Sequence, residues 1–150
     1  MARSPTAPNR PLFSTTPVPA EQGTTISRAR LWAGRVLSGL VSTFLFVDGA
    51  MKLFKPRAVV DATLQLGYPE SSILGIGLAL LASTILYVLP RTAVLGAILL
   101  TGYLGGAVAT HVRAGSGAFN VLFPMIFGGI VWTGLVLRDE RVRRMVMPSG

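Results

Sequence analysis

The chain of 150 residues contains no cysteine, which excludes disulfides, thiol chemistry, cysteine-ligated zinc and cysteine-held iron–sulfur clusters within it. Charge is also scarce. Asp, Glu, Lys and Arg make up 13% of the residues, against 51% hydrophobic, and there is one histidine. A single His with one nearby Asp is too sparse for a metal site, so none is expected. No Ser-His-Asp set and no strand-borne glycine loop occurs, so neither triad nor nucleotide chemistry has a footing. The net charge of +8 is not gathered into a basic patch interleaved with aromatics, which argues against nucleic acid as a partner. The basic residues instead stand at the ends of apolar runs, as topology signals do in a protein whose partner is the lipid bilayer.

What the chain has is long apolar runs. The clearest lies between Arg91 and Arg113, with His111 the only acidic or basic side chain between them. Its length of about 21 residues makes about 31 Å of helix, enough to cross a hydrocarbon core. It has no polar face, as a soluble surface helix would. Three similar runs cover about residues 31–54, 72–89 and 118–137, the last with Pro124 inside it. The expected fold is all-α, a transmembrane four-helix bundle. Residues 57–66 place apolar side chains at 59, 60, 63, 64 and 66, which suits a short helix lying in the interface, with Gly67 at its C-terminal end. Pro90-Arg91 is so short a link that the second and third spans must be antiparallel neighbours.

The ends read differently. Residues 1–27 hold five prolines among Ser, Thr and Ala, with no apolar run of signal-peptide length, and are expected to be a disordered tail. The bundle domain is expected over 28–145, and 146–150 as a short C-terminal tail. With four spans both termini share a side with the 90–91 turn. That side carries ten Lys and Arg and the other carries four, so the positive-inside rule puts both termini in the cytoplasm.

Small residues suggest packing faces. Gly34, Ser38 and Ser42 form one stripe, and Gly75, Ala79 and Ser83 another. The third span has two, Ala93-Ala97-Thr101-Gly105-Ala109 and the GxxxG pair Gly102 and Gly106, which implies two neighbours and a central place in the bundle.

The polar groups are one-sided. Asp48, Lys52, His111 and Arg113 fall at similar depth near the outer boundary, with Tyr68, Glu70 and Asn120 at the same level. Asp48 and Lys52 are i, i+4 on one helix face, acid before base, the favourable order. The pair reads either as a snorkelling lysine that neutralises a carboxylate and fixes helix depth, or as the border of an outward pocket for a small amphipathic ligand. His111 reads either as an interfacial histidine bonded to a neighbour or to water, or as a proton donor or acceptor facing a quinone-like ligand. Tyr87, Tyr103 and Trp132 read as packing or belt aromatics.

Gly39, the run Phe46-Val-Asp-Gly-Ala-Met-Lys-Leu-Phe54, the block Leu66-Gly-Tyr-Pro-Glu70 and the stretch Tyr87 to Arg113 resemble the DoxX-like family over about residues 31–145. The resemblance implies a four-helix bundle in the bacterial inner membrane. It implies an accessory, oxidoreductase-associated subunit, with a quinone as candidate ligand and a membrane or redox protein as partner; oligomerisation is open. The family pattern runs through Asp48, Gly49, Lys52, Tyr68, Pro69, Glu70, His111 and Arg113 without attaching a catalytic role to any of them. A small transporter or exporter is the competing reading. It asks more of Asp48, which lies near one face and already has Lys52 beside it.

Overall fold

The computed structural model describes residues 28–147, so the tail expected over 1–27 and the last three residues of the one expected over 146–150 lie outside the described residues. Six helices follow in order: α1 Arg28–Phe54, α2 Arg57–Gln65, α3 Ser72–Val88, α4 Ala93–Arg113, α5 Ala118–Arg138 and α6 Glu140–Val146. No strand occurs among the described residues. The four long helices close a ring, with α1 and α4 each packed between α3 and α5. The third span therefore has the two neighbours its stripes suggested, but so has every long helix, and none is central.

Helices α1, α4 and α5 are each long and apolar enough to cross a membrane, and α3 is an apolar helix of 17 residues. At 1.5 Å per residue α3 makes about 26 Å, near the shortest length that spans. The outside of the ring is apolar too. Leu40 is 67% exposed, and Leu78, Ile98 and Met125 are more than half exposed on the other three helices. Such a surface is stable in lipid and would aggregate in water. The architecture is that of a helical membrane protein.

The bundle is tightest at the end where α3 turns into α4. Tyr87 is fully buried there. Its hydroxyl donates to the Val131 carbonyl at 2.8 Å and meets Ser38 Oγ at 3.0 Å, joining α3 to α5 and α1. The Arg138 guanidinium stacks 4.5 Å from the Tyr87 ring centroid and donates to the Tyr87 carbonyl, satisfying an acceptor the end of α3 would leave open. Thr92 Oγ1 donates back to the Leu86 carbonyl at 2.9 Å and closes the turn. The Gly34-Ser38-Ser42 stripe is buried as expected.

After α5 a further short helix, α6, closes the bundle domain expected over 28–145 and ends at Val146, one residue into the tail expected over 146–150. Asp139 caps α6 by accepting from Arg141 N at 2.9 Å. Glu140 then accepts from Arg30 at 2.8 Å, which pins α6 to the start of α1. Seven residues are too few for a hydropathy period to reveal, so only the cap residue signals this helix.

Candidate functional site

At the opposite end the ring opens. A cavity of about 620 Å³ lies there, lined by residues of α1, α4 and α5, with Thr63 of α2, Ile76 of α3 and the loop residues Leu66 and Tyr68 beside them. Five of the seven sequence candidates line it: Asp48, Lys52, Tyr68, His111 and Asn120. Asp48 and His111 therefore sit at one end of the bundle. The chain comes together this way because α1 and α4 run in the same direction across the ring, so their final turns deliver the acid–amine pair and the histidine to the same mouth.

The ion pair is short. Lys52 Nζ donates to Asp48 Oδ2 at 2.6 Å. The lysine side chain is 17% exposed and the carboxylate 41%, so the lysine is the more deeply held partner. His111 Nδ1 contacts Ser116 Oγ at 3.2 Å, and its Nε2 bonds to nothing among the described residues. Tyr68 shares a hydrogen bond of 2.8 Å with Thr110 Oγ1.

Glu70 and Arg113 do not line the cavity. Both fasten the segment that borders it. Glu70 faces Lys55 at 3.6 Å, which ties together the two ends of the segment 55–70. Arg113 donates to the Leu66 carbonyl at 3.1 Å and lies 5.7 Å from the Tyr68 ring centroid. Within that segment α2 has no buried residue. It is entered through Lys55 at φ 47° and left through Gly67 at φ 81°. Gly67 meets its expected role after α2, because a side chain there would strain the backbone. A helix held by so few contacts opens more readily than the bundle. Arg113→Ala should therefore speed amide hydrogen exchange across residues 57–68 and leave the exchange of α1 and α4 unchanged. Equal exchange in both proteins would mean that Arg113 holds nothing.

Sequence reasoning missed the aromatic wall. Phe44, Phe119, Phe123 and Phe127 line the cavity, and their rings contact one another at centroid separations of 4.6–5.8 Å. The signal was present, since Phe119, Phe123 and Phe127 are four apart on one face of α5. Phe119 is 74% exposed while it lines the cavity, so the space communicates with the outside of the ring. Tyr103, read above as a packing aromatic, also faces the cavity.

The GxxxG of α4 needs correcting. A Cβ added at Gly102, Gly105 or Gly106 would meet nothing within 4 Å, and Gly102 and Gly106 line the cavity. Their small size makes room instead of admitting a neighbouring helix. The second stripe is likewise only partly packed: Ser83 is buried, whereas Gly75 has open space beside it.

A family model described as the DoxX-like family matches residues 36–134, which includes the whole aromatic wall, the Asp48–Lys52 pair and His111. No curated protein and no solved structure matches the chain.

Proposed function

The chain belongs to the DoxX-like family, and on that footing we propose that it is an accessory subunit of a membrane redox system, holding a lipophilic molecule of the quinone class in the cavity at one end of its bundle. The observation that carries this reading is the cavity itself. It combines an aromatic wall open to the outside with polar groups at one end, and a flat ring with polar substituents and an apolar tail needs that combination. Its volume of about 620 Å³ falls in the range of small-molecule sites. No self-sufficient catalytic set accompanies it among the described residues, which favours a supporting role beside a partner protein.

We place the cavity at the extracytoplasmic end of four spans in the bacterial inner membrane. The basic residues support this placement. Among the described residues, Arg28, Arg30, Arg35, Arg91, Arg138, Arg141, Arg143 and Arg144 all belong to the Tyr87 end, and the cavity end has only Lys52, Lys55, Arg57 and Arg113. Residues 28–145 are the bundle domain in this reading, with both termini in the cytoplasm.

Equilibrium exchange of a decyl-benzoquinone into the purified protein in lipid nanodiscs tests the ligand half. Saturable binding is expected, weakened about tenfold in His111→Ala through loss of a hydrogen bond to the ring oxygen and of the imidazole's contact area. No binding to the unaltered protein would remove the quinone from the reading.

A further inference from the structure

The cavity offers hydrogen-bond donors that have no partner among the described residues. Its carboxylate, Asp48, already accepts from Lys52 at 2.6 Å, so the two charges cancel in place. Lys52 keeps two further N–H groups, because an ammonium has three. The Tyr68 hydroxyl is engaged with Thr110, and Nδ1 of His111 with Ser116. The Tyr103 hydroxyl and the Asn120 amide bond to nothing among the described residues, and both residues line the cavity. The phenylalanines supply no acceptor at all.

We infer that Tyr103 is a ligand-binding residue, whose O–H donates to a neutral oxygen acceptor, a ring carbonyl, on a flat lipophilic molecule seated against the Phe123 and Phe127 wall. The inference rests on the reading of the cavity as a quinone-class site and names the group that recognises the ligand. The Tyr103 O–H reaches the cavity without a partner among the described residues, and a carbonyl oxygen there would supply the missing half of its hydrogen bond. Gly102 and Gly106 line the same cavity as Tyr103, so α4 leaves space in it where a bulkier sequence would fill it. A cationic ligand fits these groups poorly. It would have to share Asp48 with the Lys52 ammonium, whose charge repels it.

Tyr103→Phe keeps the ring and removes only the hydroxyl, so it separates recognition from folding. The test uses the full chain in nanodiscs with two probes, decyl-benzoquinone and decylbenzene, which share a tail and differ in the carbonyls. The quinone should bind about fivefold to tenfold more weakly to the variant, with decylbenzene binding and the thermal midpoint unchanged. The infrared carbonyl stretch of the bound quinone should also rise in the variant as the hydrogen bond is lost. Equal quinone binding to both proteins would overturn the inference and leave the quinone reading standing. Equal losses for both probes would overturn it by showing that the hydroxyl only supports packing. Absence of quinone binding to the unaltered protein, or preferential binding of tetraphenylphosphonium that depends on Asp48, would overturn both together.

Discussion

Gly96→Ala is expected to abolish recovery of folded protein, measured as the monodisperse fraction extracted from membranes in mild detergent. An ideal Cβ at this position would overlap the backbone nitrogen and Cα of Tyr87 and the carbonyl carbon of Leu86. Those atoms are main chain at the end of α3, so no side-chain rotation relieves the overlap. The only escape is to part α3 from α4. That movement would pull Tyr87 from Ser38 and Val131 and carry the Arg138 stack away with it. Small residues matter most in lipid because close backbone approach supplies much of the helix–helix attraction. Gly102→Ala is the control. A methyl group there meets nothing within 4 Å, and the folded yield should match that of the unaltered chain. Normal yield of Gly96→Ala would refute the packing described at this end.

The second large effect is expected from Lys52→Ala, which leaves Asp48 without its partner. An unpaired carboxylate near an apolar cavity costs about 2 kcal/mol or more, to which the lost packing of the lysine stem adds. Alanine keeps the Cβ that lies against Gly77 of α3, so only the stem beyond it is lost. The prediction is a lower thermal unfolding midpoint in detergent. Most of that loss should return in the double variant Asp48→Asn with Lys52→Ala, where no charge remains to be paired. If the double variant were no more stable than Lys52→Ala alone, the lysine would matter for its stem and not for its charge.

Much of this fold could be read from residue order, because hydropathy and helix caps act locally. The four long helices, the short amphipathic helix at 57–65 and the direct turn at Pro90 all follow from runs of apolar residues and their interruptions. The pairing of Asp48 with Lys52 follows from helical spacing and was equally legible. The facing of α4 was not. Ala93 and Ala97 of its first stripe are buried, but the glycine that limits its approach to α3 is Gly96, which belongs to neither stripe. Small residues show where backbones can approach, and the same residues serve equally where a helix must leave room. Only the placement of α1 and α5 distinguishes the two at Gly102 and Gly106. Phenylalanines in an apolar run have the same ambiguity, since lipid and a cavity wall favour the same side chain. Among the polar candidates, the end of the bundle was predictable and the direction of each side chain was not. Thus Glu70 and Arg113 share a level with Asp48, yet bind the segment over the cavity while the other five line it.

The exposure of Phe44, Phe119 and Phe123 along the cavity has a practical consequence for anyone titrating the site. A molecule that enters past these rings arrives from the acyl chains and not from the buffer. Occupancy then follows the mole fraction of that molecule in the lipid or micelle, and diluting the sample with detergent at constant aqueous concentration empties the site. Dissociation constants quoted per litre of water would differ between preparations that are otherwise identical, whereas constants expressed per lipid would agree.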